Sequence, residues 1–275
     1  MLTITPLPNI PLIETGDNLA EIMLQNTGFP LRDSDIFVLA QKIVSKAEGR
    51  LVNLADVEPS ARAFELATAT QKDARVVELI LQESNEIVRT RPGLIVVEHK
   101  NGFICANAGI DHSNIHPHPN LPPRGEGTGS PPHRGGDVRR TEGGLDDEYA
   151  LLLPKDADRS ARKLRDAIES ATGKKIGVLI IDSHGRAWRN GIVGITIGMA
   201  GVPGVVDKRG DIDLFGREMR ITQIGAADEL AAAASLMMGQ TNEGKPIVHV
   251  RGFPYPLRES NLAELIRPKE QDLFR

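Results

Sequence analysis

Lys175-Ile176-Gly177-Val178-Leu179-Ile180-Ile181-Asp182 is the stretch whose reading decides the fold. Four consecutive large aliphatic residues in a run this short read as a strand buried on both faces. The run ends on a carboxylate. A second apolar run, Gly102-Phe103-Ile104-Cys105-Ala106-Asn107-Ala108-Gly109-Ile110-Asp111, ends the same way. An aspartate where a strand leaves its sheet stands at the rim of a cleft, and its hard oxygens suit Mg²⁺ or Mn²⁺ beside phosphates. The plainer reading of either residue is a turn or a helix N-cap, since aspartate favours both.

Strands and helices alternate outward from that run. Asn18 to Gln25 has helical spacing with Asp17 as its N-cap. Asp35 to Ala40 reads as a strand, followed directly by Gln41-Lys42-Ile43-Val44-Ser45-Lys46 on a strand-to-turn segment. Helices are predicted over Ser60 to Thr70, Asp73 to Glu83 and Ser160 to Thr172, and a strand over Gly93 to Glu98, while ordered structure resumes at Tyr149 to Leu153. Gly191 to Gly198 is a strand whose glycines admit bulges or close backbone approach. Asp211 to Arg217 with Met219 to Thr222 reads as a strand pair. A small-residue helix from about Asp228 to Met238 and a strand, Ile247 to Arg251, complete the ordered pattern.

Residues 115–146 interrupt it with six prolines and seven glycines. So little apolar surface cannot offset the entropy of ordering, and a flexible surface insertion is expected. His116, His118 and His133 lie there without a rigid element, so a solvated loop outweighs a metal site.

Composition narrows the function. The chain has 275 residues, a net charge of −4 and 40% hydrophobic residues, enough for a sizeable core. That charge does not call for nucleic acid, and anionic ligands must be held by local cations, helix ends or metal. The one cysteine, Cys105, permits no internal disulfide and reads as a small core residue. No run approaches the ~18 apolar residues of a membrane span, and the start lacks a signal-peptide pattern, so a soluble cytoplasmic protein is expected.

Gly239-Gln240-Thr241-Asn242-Glu243-Gly244-Lys245-Pro246 nearly matches a phosphate loop. Pro246 stands where a metal-binding hydroxyl is required, and the loop follows a helix where the motif needs a strand. Read alone, it is a helix end capped by a left-handed Gly239. Lys42 and Lys46 are candidate phosphate cations, though surface lysines are more often solvated. His184, beside Gly185 and Arg186, reads as a loop residue that serves as acid, base or ligand, or is a spectator.

In combination these segments resemble the γ-glutamyl ligases of deazaflavin coenzyme F-420 biosynthesis. The resemblance is carried by Ile10-Pro11-Leu12-Ile13 with Gly16-Asp17, Ala40 through Arg50, Asp73 through Ile80 and Ala106 through Asn114. It continues in Asp182-Ser183-His184-Gly185-Arg186, Asp213 through Arg217 and Met238 through Gly244. The resemblance implies an α+β fold of mixed sheets and packed helices, a single catalytic unit of two intertwined lobes around a cleft, and a homodimer. It implies a GTP-dependent ligase joining L-glutamate to a deazaflavin precursor through an acyl phosphate. Asp111 and Asp182 would hold one Mg²⁺ or Mn²⁺, with Ser183 and Gln240 at a second position and K⁺ left open. Ile10, Pro11, Leu12, Ile13, Gln41, Lys42, Lys46 and Asn114 would line the nucleotide site, together with Met238, Gly239, Gln240, Thr241, Asn242, Glu243, Gly244 and Lys245. Relative to that family 115–146 reads as an insertion, and a flavin-binding domain fused in some relatives is lacking. A metal-dependent phosphohydrolase and a non-catalytic nucleotide-binding protein remain the rival readings.

Overall fold

The computed structural model describes residues 1–115 and 148–272. The predicted insertion and its three histidines, 116, 118 and 133, lie outside the described residues, apart from Ile115. In chain order the elements are β1 (Thr3–Pro6), α1 (Leu19–Asn26), β2 (Ile36–Ala40), α2 (Gln41–Ala47) and β3 (Leu51–Asn53). Then come α3 (Ala61–Thr70), α4 (Ala74–Gln82), β4 (Ser84–Arg91), β5 (Leu94–His99), β6 (Ile104–Ala106) and β7 (Tyr149–Leu151). The last third holds α5 (Ala157–Thr172), β8 (Gly177–Arg186), β9 (Arg189–Ala200), β10 (Val206–Asp207), β11 (Gln223–Ile224), α6 (Ala226–Met238) and β12 (Ile247–Arg251).

The principal sheet has the order β1-β12-β2-β8-β9, and β2 with β8 is its one parallel pair. All other neighbours in it are antiparallel. Smaller sheets pair β4-β5-β6, β3-β7 and β10-β11. Mixed sheets with packed helices are therefore present, as expected. No helix among the described residues is long and apolar enough to cross a membrane.

Strand alternation sends successive side chains to opposite faces. Val178 and Ile180 enter one core with Phe37, Leu39 and Ala157. Leu179 and Ile181 enter a second with Val38, Leu230 and Ala234. The aliphatic run is thus covered on both sides, as its composition predicted. Between Ile180 and Ile181 the pairing with β9 slips from Gly198 to Thr196, leaving one extra residue in β9. This bulge reverses the alternation, so Gly194 and Gly198 face opposite sides of the sheet. A Cβ on Gly198 would meet Ala157 Cβ of α5 at 2.5 Å, and one on Gly194 would meet Ser235 Cβ of α6 at 2.6 Å. Both glycines exist so that a helix can lie directly on the strand.

Several local expectations are corrected. Asn18, not Asp17, caps α1 through Glu21 N–H, while Asp17 accepts from Glu14 N–H. The segment after β2 is the helix α2 rather than a turn. β4 went unread because Ser84-Asn85-Glu86 and three later polar residues mask its alternation. Asp211 to Thr222 makes an isolated Ile212–Glu218 bridge, and the strand pair forms at its flanks as β10 and β11. There Asp213 accepts from the N–H groups of Phe215 and Arg217, which favours a turn over a ladder.

Asp35 anchors the entrance to β2 and is 1% exposed. It accepts from Arg251 Nε at 2.8 Å and Nη2 at 2.7 Å and from Arg32 N–H at 2.8 Å, with His249 Nε2 at 3.1 Å. Burial pushes its pKa up, but Arg251, the Arg32 amide and His249 together outweigh that and hold it below its ordinary value. A lowered folded pKa gives stability that is present above the ordinary carboxylate range and lost as pH falls through the folded value.

Two outcomes follow from this packing. Gly198→Ala should lower unfolding free energy by about 1–3 kcal/mol in urea titrations, because α5 must move off the sheet. Asp35→Asn should cost roughly 3 kcal/mol at pH 7 by leaving Arg251 without its anion. The gap between wild type and Asp35→Asn should close below about pH 4.

Candidate active site

Because β2 and β8 are parallel, their carboxyl ends reach the same edge of the sheet, where ligands collect in such arrangements. Helix α2 leaves β2 at that edge and carries Gln41, Lys42 and Lys46. From β8 come Asp182, with a side chain 12% exposed, and the exposed Ser183. Neither aspartate stands at a strand exit. Asp182 is internal to β8, which continues to Arg186. Asp111 follows β6 through a short helical turn, Asn107–Gly109, with Asn107 and Ala108 at positive φ, and it exchanges both backbone hydrogen bonds with Leu151. Polar Asn107, whose Oδ1 accepts from Ile95 N–H, ends the strand earlier than its apolar neighbours suggested.

The polar side chains at this edge interlock. Gln41, 1% exposed, donates from Nε2 to Asp111 Oδ2 at 2.6 Å and accepts from Ser45 Oγ at 3.0 Å. Lys42 Nζ lies 3.4 Å from Asp111 Oδ1 and donates to the carbonyl and hydroxyl of Ser113 at 3.0 and 3.1 Å. Lys46 donates to the Asn114 carbonyl at 2.8 Å. Asn114, at φ 56°, donates from Nδ2 to the Thr241 carbonyl at 2.9 Å, tying the Asp111 segment to the loop after α6. From that loop Gln240 Oε1 accepts from Ser183 Oγ at 2.7 Å, and Gln240 Nε2 donates to Ser235 Oγ at 2.9 Å.

Residues from four remote segments are thereby joined: 41–46, 111–114, 182–184 and 240–243. The 239–246 loop follows α6, so it is no conventional phosphate loop, yet it faces the site. Gly239 has φ 76° with extended ψ, not the left-handed cap expected, and any Cβ there would collide with the Glu243 carboxylate. Glu243 in turn accepts from Thr241 N–H at 2.8 Å, which shapes the loop. Asn242, Gly244 and Lys245 are exposed beyond it, and the Met238 side chain is buried in the second core. Upstream, Ile13 is buried and Ile10 half-buried against the main core, Pro11 and Leu12 are exposed, and Gly16 N–H donates to the Ala47 carbonyl at the end of α2.

His184 was underread. It lies inside β8 rather than in a loop, is 8% exposed, and sits 2.9 Å from Asp182 Oδ2. The signal was its spacing: two residues apart on a strand means one shared face. Ser45 and Ser235 carried no signal in the sequence, since their importance is only that they hold Gln41 and Gln240.

The electrostatics of the cluster reflect its burial. Desolvation pushes the Asp111 carboxyl up to about 6, Lys42 opposes this, and the Asp182 charge adds to it. Lys46 is pushed below its ordinary value by burial and by Lys42. Two sets of oxygen donors lie at this edge: the carboxylates of Asp111 and Asp182, whose charges interact, and, from the opposite face of β8, the Ser183 hydroxyl with the Gln240 amide oxygen. Among the described residues no three His, Cys, Asp or Glu side chains form a metal-binding group. An oxygen-only set with one or two carboxylates fits Mg²⁺ or Mn²⁺ whose remaining ligands are water and phosphate, and suits zinc poorly.

Fold and site together define a class: a mixed α/β protein with paired acids and lysines at the edge of a parallel strand pair. The sequence profile of the F420-0:Gamma-glutamyl ligase family matches residues 8–125 and 135–252. The chain belongs to that family. It is 43% identical over 268 residues to the Coenzyme F420:L-glutamate ligase of Methanococcus maripaludis strain C7, covering 97% of this chain and 94% of that one. Similarity to the enzymes of that name from Methanothermobacter thermautotrophicus (41%, covering 97% and 96%) and Methanopyrus kandleri (40%, covering 100% and 98%) is comparable. Membership makes the chain a ligase.

One outcome follows from the raised Asp111 pKa. The unfolded chain ionises first, so this group withdraws stability from the fold as pH rises from about 4 to 6. Asp111→Asn should therefore raise the thermal midpoint of metal-free protein at pH 7 and leave it unchanged below about pH 4, read by calorimetry.

Proposed function

We propose that this chain joins L-glutamate to the terminal carboxylate of a deazaflavin coenzyme precursor, using GTP and a divalent cation. The observation that carries the reading is the meeting of Asp111 and Asp182 with Lys42, Lys46 and the Gln240 loop at one sheet edge. Family membership and the L-glutamate in the relatives' names support the class of reaction.

A carboxylate does not condense with an amine in water, because its oxygen is a poor leaving group. In the proposed first step a precursor carboxylate oxygen attacks the γ-phosphorus of GTP, the bond to the β-phosphate oxygen breaks, and GDP leaves. The acyl phosphate is then attacked by the glutamate amine, which loses a proton as the C–N bond forms and inorganic phosphate departs. Every reactant is anionic, so neutralising charge is the first requirement. A divalent ion held by Asp111 and Asp182, with Ser183 and Gln240 at a second position, would screen the phosphates when bound. Lys46, half-buried beside Lys42, adds a fixed cation whose attraction strengthens as water is excluded. The Asn114–Thr241 link holds the two loops at a constant separation, which favours one orientation of nucleotide against carboxylate. For the homodimer implied by the resemblance, the exposed Leu214, Phe215 and Ile221 offer apolar surface that a second copy would cover.

Asp182→Ala should abolish glutamate addition, followed by mass spectrometry of the product from precursor, L-glutamate, GTP and Mn²⁺, with circular dichroism unchanged. Full activity in that variant would refute the assignment of Asp182. Phosphate release by wild type with no amide product would instead favour a phosphohydrolase.

A further inference from the structure

Asp182 and His184 leave the same face of β8, and a hydrogen bond of 2.9 Å joins His184 Nε2 to Asp182 Oδ2. Both side chains are nearly buried, Asp182 12% and His184 8% exposed. The imidazole is also held from behind. Its ring centroid lies 5.5 Å from that of Phe103, and Phe103 stacks on His99 at 5.2 Å with planes 8° apart. His99 is buried in turn, 3.7 Å from Glu83, which Arg50 binds at 2.6 Å. Three rings in a column, closed by an ion pair, leave the His184 imidazole little room to rotate. The bulge in β9 sits just before this point and fixes the register in which Asp182 faces Ile195 and His184 faces Val193.

The same device stands at the other acid. Asp111 Oδ2 accepts from the buried Gln41 amide, which Ser45 holds from behind. Each carboxylate thus has one oxygen bound by a buried donor that is itself fixed. A carboxylate on a short side chain turns freely about its last bond, and that freedom must be lost when it grips an ion.

We propose that His184 is a positioning residue, whose Nε2–H holds one oxygen of Asp182 so that the other is presented to the divalent cation. This rests on Asp182 being a cation ligand, as argued under the proposed function. Hydrogen bonds of this outer kind typically carry 10–100-fold in metal affinity. The side chain of glutamine places an amide N–H near the position of imidazole Nε2, whereas asparagine stops short of it.

The test is Mn²⁺ affinity of the full chain, read from the free-Mn²⁺ electron paramagnetic resonance signal with no substrate present. His184→Leu and His184→Asn should weaken Mn²⁺ binding by about 10–100-fold, while His184→Gln stays within about threefold of wild type. Should His184→Leu fail to fold, the asparagine and glutamine variants decide, because a packing role would not separate two amides by reach. Asp182→Asn is the control. If it loses Mn²⁺ while His184→Leu and His184→Asn bind like wild type, the positioning role is wrong and the cation site stands. If Asp182→Asn also binds like wild type, the cation reading of Asp182 falls, and the role of His184 with it.

Discussion

The parallel pairing of β2 with β8 is the constraint on which the rest of the molecule depends. Ile36 to Ala40 lie beside Gly177 to Ile181 in register, although more than a hundred residues separate them. Parallel strands need a crossover, and here the crossover contains α2 to α5 and the β3-β7 and β4-β5-β6 sheets. One end of that excursion is α2 with its lysines, and the other is the strand bearing Asp182. Antiparallel pairing would have sent those two ends to opposite edges of the sheet. The site is a consequence of strand direction before it is one of side-chain chemistry.

The edge so created brings two acids and two lysines together in partial burial. Burial works against Asp111 and Lys46 at once, one pushed up and the other down. At the far end of the sheet Asp35 is paired with Arg251. The two ends of β2 therefore illustrate opposite uses of a buried acid. Asp35 is satisfied and stabilises the fold. Asp111, with Lys42 Nζ at 3.4 Å and the Gln41 amide on Oδ2, is still raised above the ordinary carboxylate range by desolvation.

Much of the fold was readable along the chain. The largely apolar runs at Ile36 to Ala40, Val178 to Ile181 and Ile247 to Val250 read as strands, and strands they are. Ser60 and Asp73 marked two helix starts because their side chains accept from the first-turn N–H groups. What escaped were elements whose pattern is set by neighbours. β4 is largely polar because its outer side is solvated, and it is a strand because β5 offers it a ladder. Helix α2 is too short to show its own periodicity. His184 looked like a loop residue because Gly185 and Arg186 follow it, yet the long β8–β9 hairpin carries all three.

What the sequence by itself determined were the residue types the chemistry requires: two acids after apolar runs, two lysines, and a glycine-bounded loop that fails the phosphate-loop pattern. These depend on local composition, which a linear reading can weigh. Tertiary structure alone decided that Asp111, Asp182, Lys42, Lys46, Asn114 and Gln240 share one edge. It also decided which acid oxygen is held by Gln41 and which by His184. Such facts arise from strand direction and from the contacts that remote elements make once they are packed together. No spacing along the chain encodes them, because they are properties of which strands lie side by side.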